Sequence, residues 1–229
     1  MATSETSATT ALATHPSILL LGDSITEQAC NPTTDGFHSL LARDYIRRFD
    51  VVNRGLSGYT TTWMLDLLPT ILRDAYAHRS PPHLVTLFLG ANDAATDDSP
   101  QHVPLAVFEA NLRAIVAMLH QWFPSTKVLL ITPPPVSDSN PFGRENDVTG
   151  RYAAATVAVG NELAVPVLDV WALFQAEKDS YLSDGLHLNA KGNFAVYTAL
   201  TKHIAHHWPD LSADRAPFAY PTWRTIAKV

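Results

Sequence analysis

Five short runs of mostly aliphatic residues, each followed by a longer stretch with helical spacing, constrain this chain more than any other feature. The runs are Ser17-Ile18-Leu19-Leu20-Leu21, Asp50-Val51-Val52-Asn53, Leu84-Val85-Thr86-Leu87-Phe88-Leu89, Lys127 to Ile131 and Val165 to Leu168. They lack the strict apolar/polar alternation of a half-exposed strand, and near-continuous apolar strands belong to a parallel sheet covered on both faces. Between and after them, Phe37 to Phe49, Thr60 to Tyr76, Leu105 to Trp122, about Thr149 to Leu163 and Ala190 to His206 read as helices. In the third of these, Leu105, Phe108, Leu112, Ile115, Val116 and Leu119 fall on one stripe. Pro69 is expected to kink or split the helix it interrupts. Strands alternating with helices predict the α/β class.

Composition narrows what such a fold could serve. A length of 229 residues fits one domain, and 46% hydrophobic against 17% charged residues excludes intrinsic disorder. The net charge of −6, without a Lys/Arg cluster, excludes nucleic acid as an expected partner. The single cysteine, Cys30, allows no internal disulfide, suits a reducing compartment and is expected to be a small buried apolar residue. No run of 18 apolar residues is present, so no membrane span is expected. The opening MATSETSATTALATHPS has no basic n-region and carries Glu5, which fits neither a secretory signal nor a transit peptide, so a cytoplasmic location is expected. The expected organisation is a disordered tail over 1–16, a single folded domain over 17–207 and an aromatic extension over 208–229. Trp208, Phe218, Tyr220 and Trp223 of that extension need a surface, either this subunit's body or a partner subunit in a homodimer.

In an open parallel sheet, ligands sit outside the carboxyl ends of the strands. The first strand runs into Gly22-Asp23-Ser24, the second into Asn53-Arg54-Gly55-Leu56-Ser57-Gly58, and the third into Gly90-Ala91-Asn92-Asp93. The fourth leads into a Pro-rich stretch, Thr132 to Gly150, that reads as a long loop. All four segments fall on one edge.

Ser24 follows a strand and precedes a helical turn, which sets its hydroxyl at the mouth of the sheet and its own N–H outward. The same position suits a serine that merely caps the turn. In Asp184-Gly185-Leu186-His187, an Asp three residues before a His can hold the imidazole Nδ1 and leave Nε2 free to take a hydroxyl proton. A turn Asp beside an unrelated His has the same spacing, and the chain has 10 histidines. Asn92 offers a side-chain N–H₂ and Gly58 an unobstructed backbone N–H, donors of the kind that stabilise an oxyanion. Both are also ordinary turn residues.

Four segments taken together resemble a known family. Leu20-Leu21-Gly22-Asp23-Ser24-Ile25-Thr26-Glu27, Asn53-Arg54-Gly55-Leu56-Ser57-Gly58-Tyr59, Leu89-Gly90-Ala91-Asn92-Asp93-Ala94 and Ser183-Asp184-Gly185-Leu186-His187-Leu188-Asn189 are similar to the motif blocks of the SGNH hydrolases, or GDSL esterases/lipases. The likeness is in particular to their isoamyl acetate-hydrolysing esterase branch. It spans Ile18 to His187 and continues more weakly to Pro221-Thr222-Trp223-Arg224. The resemblance implies a three-layer α/β/α sandwich around a five-stranded parallel, flavodoxin-like sheet. It implies Ser24 as nucleophile, His187 as general base and then acid, and Asp184 as its orienter. It also implies an oxyanion hole made by the N–H of Ser24, the N–H of Gly58 and the side chain of Asn92. Ile25 stands where many relatives have Leu, and the loop from Pro135 to Gly150 matches no motif.

The implied reaction is hydrolysis of small carboxylic esters, such as short-chain acetates of apolar alcohols, through an acyl-enzyme. No cofactor and no metal are expected. The loops around Ile25, Leu56, Tyr59 and 135–150 offer apolar surface and no Arg/Lys cluster to hold phosphate. An acetylated sugar or a longer acyl chain is the alternative on the same triad.

Rival readings are weaker. Ser57 lies in Gly55-Leu56-Ser57-Gly58-Tyr59, where Tyr59 replaces the second glycine of a Gly-x-Ser-x-Gly elbow. A metal-dependent phosphoesterase would draw on Asp23, Asn53, Asn92, Asp93, Asp184 and His187. It would also need an early Asp-x-His and a late Gly-His-x-His, which the chain lacks. A non-enzymatic binding module would be expected to lack a triad member. His203, His206 and His207 share a helix face and read as the solvated end of the last helix.

Overall fold

In β1 (Ser17–Gly22), Ile18 and Leu20 join one apolar cluster while Leu19 and Leu21 join another on the opposite face. The period-two alternation of strand side chains therefore divides an all-apolar run between two cores. Deleting one such side chain, as in Leu20→Ala at 0% exposure, would cost about 2–5 kcal/mol.

This computed structural model describes residues 15–77 and 79–227; the expected N-terminal tail lies outside them except for its last two positions. Strands β2 (Asp50–Gly55), β3 (Leu84–Phe88), β4 (Lys127–Ile131) and β5 (Val167–Leu168) complete a parallel sheet in the order β2-β1-β3-β4-β5. The helices are α1 (Ser24–Gln28), α2 (Phe37–Asp44), α3 (Thr61–Tyr76), α4 (Leu105–Trp122), α5 (Asn146–Leu163), α6 (Val170–Phe174), α7 (Lys178–Tyr181), α8 (Ala190–His207) and α9 (Trp223–Ile226). On one face α2 and α8 contribute Phe37, Leu41, Val196, Leu200 and Ile204 to the core. On the other, α3, α4 and α5 contribute Met64, Leu68, Leu112, Ile115 and Val159. The result is the three-layer α/β/α sandwich with a flavodoxin-like strand order. The chain reverses its direction of travel across the sheet at β1, so the crevice for a ligand opens at the end of that strand.

Several boundaries differ from the sequence expectation. Pro69 neither splits nor ends α3: it lies on the half-exposed side, and Leu68, Ile71 and Leu72 anchor the helix on both sides of it. Helix α2 stops at Asp44, and the chain turns at Arg47, whose φ is +65°. The loop after β4 is shorter than expected, because residues 146–150 already form the first turn of α5. β5 is short because Val165 still closes the end of α5, donating its N–H to Gly160 O at 2.8 Å. Cys30 is exposed just past α1, where Ala29 takes the buried place. In the extension, Trp208, Leu211 and Ala213 pack on the α2–α8 core and Ala216 is buried. Farther on, Phe218 packs under Arg47 and Arg48, while Tyr220 and Trp223 stay exposed.

Candidate active site

Gly22 ends β1 in a space no side chain would fit: a Cβ there would meet Thr26 Oγ1 at 2.1 Å and Phe88 O at 2.8 Å. The chain then turns directly into α1, whose cap is Asp23; its Oδ1 accepts the Ile25 N–H at 2.9 Å. Capping thus falls to Asp23 and leaves the Ser24 hydroxyl for another partner. That partner is His187, whose Nε2 lies 2.9 Å from Ser24 Oγ, while its Nδ1 lies 2.7 Å from Asp184 Oδ2.

Asp184 and His187 share one tight turn. Leu182 and Leu188 bridge antiparallel across it, and the Ser183 N–H donates to His187 O at 2.8 Å. Asp184 Oδ1 accepts the N–H groups of Leu186 at 3.0 Å and His187 at 2.8 Å. Gly185 takes φ +87°, a left-handed conformation that glycine adopts without strain. Partial burial pushes the Asp184 carboxyl up, but the donors from His187 and Leu186 outweigh it and hold the group below the usual carboxylate range. An ionised carboxylate only accepts, so Nδ1 carries the imidazole proton and Nε2 turns its lone pair to the Ser24 hydroxyl.

β2 and β3 flank β1, so the turns that follow them lie on either side of Ser24. Gly58, at φ +80°, belongs to the first and Asn92, 4% exposed, to the second. Asn92 Nδ2 donates to Tyr59 O at 2.9 Å and ties the two turns together. Asn92 Oδ1 accepts from Arg144 Nη2 at 2.9 Å and from Gln101 Nε2 at 3.2 Å. Below this layer, Asp93 is fully buried and its Oδ1 accepts the N–H of Thr61 at 2.9 Å and also its hydroxyl. Burial pushes the carboxyl of Asp93 up to about 6 and that of Asp23 up to about 7.

The sequence singled out neither Arg144 nor Phe142, and both meet the site. Phe142 sets its ring edge-on to the His187 imidazole, with centroids 5.7 Å apart. The loop bearing them is tied to the Asp184 turn through Ser137 N–H to Gly185 O at 2.9 Å. It is closed on itself by Asn140, whose Nδ2 donates to Ser137 O and Arg144 O at 2.6 and 2.7 Å. No spacing rule would have found these residues, because their partners come from other strands' loops.

The rival candidates go elsewhere. Ser57 hydrogen-bonds Glu27 through both its N–H and its hydroxyl, at 2.7 Å each. Asn53 is occupied with Thr26 O and the Gly55 N–H. Among the described residues, no group of three or more His, Cys, Asp or Glu side chains is gathered to hold a metal ion. His206 and His207 are exposed at the end of α8, with His203 half-buried beside them. No helix among the described residues is long and apolar enough to cross a membrane.

A profile of the GDSL-like Lipase/Acylhydrolase family matches residues 20–194. The chain is 40% identical over 231 residues to the Isoamyl acetate-hydrolyzing esterase 1 homolog of Bos taurus, covering 93% of this chain and 89% of that protein. It is 32% identical over 234 residues to the Isoamyl acetate-hydrolyzing esterase of Saccharomyces cerevisiae, covering 93% and 95%. Among solved structures, a lipase/acylhydrolase from Enterococcus faecalis superposes with a TM-score of 0.67 at 26% identity, covering 83% of this chain and 96% of that one.

Proposed function

This chain belongs to the GDSL-like lipase/acylhydrolase family and is a carboxylic ester hydrolase, and on that basis we propose that it is a serine esterase for small, uncharged esters of apolar alcohols. The observation that carries the mechanism is the unbroken hydrogen-bond chain from Asp184 through His187 to Ser24. Ser24 Oγ attacks the ester carbonyl as its proton passes to His187 Nε2. The carbonyl electron pair moves onto oxygen, where the N–H groups of Ser24 and Gly58 and Nδ2 of Asn92 receive it. Collapse breaks the bond to the alcohol oxygen, which leaves with the proton from His187. Water then attacks the acyl-Ser24 with His187 as base, and the acid departs as Ser24 regains its proton. Asp184 keeps the imidazole in one tautomer and offsets its positive charge in both halves.

Two features support the substrate class. The relatives named for isoamyl acetate hydrolysis align over nearly the whole chain. Phe142, 37% exposed, also presents an apolar edge beside the imidazole that would protonate the leaving alcohol. A cytoplasmic setting belongs to the same reading, supported by Cys30 as the sole, unpaired cysteine.

The test is kcat/KM on one panel running from ethyl and isoamyl acetate to long-chain acyl esters, with acetylated sugars alongside. Highest values on short acetates of apolar alcohols are expected. A clear preference for long acyl chains or sugar acetates would overturn the substrate class while leaving the triad standing.

A further inference from the structure

Arg144 belongs to none of the four motif segments, yet it is one of the most buried charged groups in the molecule, at 9% exposure. Its guanidinium donates to Asn92 Oδ1 at 2.9 Å, to Gln101 Oε1 at 2.7 Å, to Ala91 O at 3.2 Å and to Phe142 O. These acceptors are two side-chain amides and two main-chain carbonyls, none of them charged. Burying a cation is costly even with the buried Asp23 carboxyl acting on its charge, and these four neutral acceptors are what hold its fork in place. Its own main chain is held as well, by a bridge between Ala95 and Arg144 and by Asn140.

We propose that Arg144 is the positioning residue of the oxyanion hole, fixing the orientation of the Asn92 amide directly and that of the Gly58 peptide through Gln101. The proposal rests on the esterase reading above. The two ends of a carboxamide are nearly equal in size, so hydrogen-bond partners decide which end faces which way. A guanidinium has donors only, so Asn92 must turn Oδ1 toward Arg144 and Nδ2 away from it, toward Tyr59 O and the mouth of the site. The same constraint turns Gln101 Oε1 toward Arg144 and leaves Gln101 Nε2 to hold Gly58 O at 2.8 Å. One side chain therefore orients two of the three donors, from a loop remote in sequence from both. Its charge acts in the same direction: polarising the Asn92 carbonyl makes Nδ2–H a stronger donor to a developing oxyanion.

The experiment is a double-mutant cycle of Arg144→Gln with Asn92→Ala, read as kcat and KM on a short acetate ester, with thermal melts of every variant. Asn92→Ala is expected to lower kcat by roughly 10²–10³ with KM little changed. Arg144→Gln should lower kcat by roughly 10- to 100-fold with KM within about twofold, and Arg144→Lys, which keeps the charge without the fork, should fall between it and the parent. In the Asn92→Ala background, Arg144→Gln should cost clearly less than it does in the parent, because only the Gly58 peptide, held through Gln101, is left for it to orient. Two results would overturn the proposal: a folded Arg144→Gln protein with normal kcat, or losses that multiply in full in the double variant. If Arg144→Gln does not fold, the same cycle is run with Arg144→Lys and decided by the same two outcomes. An unchanged kcat in Asn92→Ala alone would instead overturn the oxyanion-hole reading on which the proposal stands.

Discussion

Ser24 Oγ and His187 Nε2 are 2.9 Å apart although the two residues are separated by 163 positions of sequence. Each half of the pair is arranged locally, Ser24 by the Asp23 cap and His187 by the Asp184 turn. The halves meet because α8 packs across the sheet face beside α1 and α2. Asn193 of α8 accepts the Phe37 N–H at 3.3 Å, and Asn189 caps α8 two residues after His187.

Replacing the proposed nucleophile tests that junction most directly. Ser24→Ala is expected to lower kcat by about 10⁶ and to abolish labelling by a serine-directed organophosphate, with the thermal melt unchanged. Substantial turnover by the folded variant would reject Ser24 as the nucleophile.

Asp184→Asn tests the tautomer argument. An asparagine can offer its N–H₂ to Nδ1, which then carries no proton and leaves Nε2 protonated toward Ser24. A loss of about 10⁴ in kcat is expected, with the turn retained because Oδ1 still accepts the N–H groups of Leu186 and His187. A loss below about tenfold in a folded variant would mean that Asp184 does not set the tautomer.

Asp23 makes stability depend on pH in a defined direction. Burial pushes its carboxyl up to about 7, with Asp93 adding to the rise against the Ile25 N–H. In the unfolded chain an Asp titrates near about 3.9. Between these values the unfolded state releases a proton that the folded state keeps, so this contribution to stability falls as pH rises through the window and levels off above it. Asp23→Asn keeps an acceptor for Ile25 and has no such titration. The melting temperature of the variant relative to the parent should therefore climb between pH 4.5 and 8; a constant difference would show that Asp23 is ionised throughout.

Phe142→Ala should lower kcat/KM on isoamyl acetate by about two- to tenfold, the range of one aromatic contact, and lower it less on ethyl acetate. Equal losses on both esters would show that the ring supports His187 rather than the alcohol.

Much of this protein could be read from its residues alone, because the signals involved are local. Near-continuous apolar runs and period-3.6 helices are short-range patterns, so the sheet, its parallel sense and the edge bearing Gly22, Gly58 and Asn92 were legible in the sequence. Asp184 and His187 were legible as a pair for the same reason, being three residues apart in one turn. What the tertiary structure decided was everything that depends on packing between distant segments. Leu68, Ile71 and Leu72 carry α3 past Pro69, because core contacts on either side outweigh the one backbone bond that proline removes. Asp23 takes the cap and frees Ser24, a choice between neighbouring side chains that spacing alone left open. Arg144 and Gln101 lie in segments with no motif; they meet Asn92 only because the loops after β3 and β4 close over one strand edge. A hydrogen bond specifies its partner by geometry in space, and that geometry exists only once the sheet has brought those loops together.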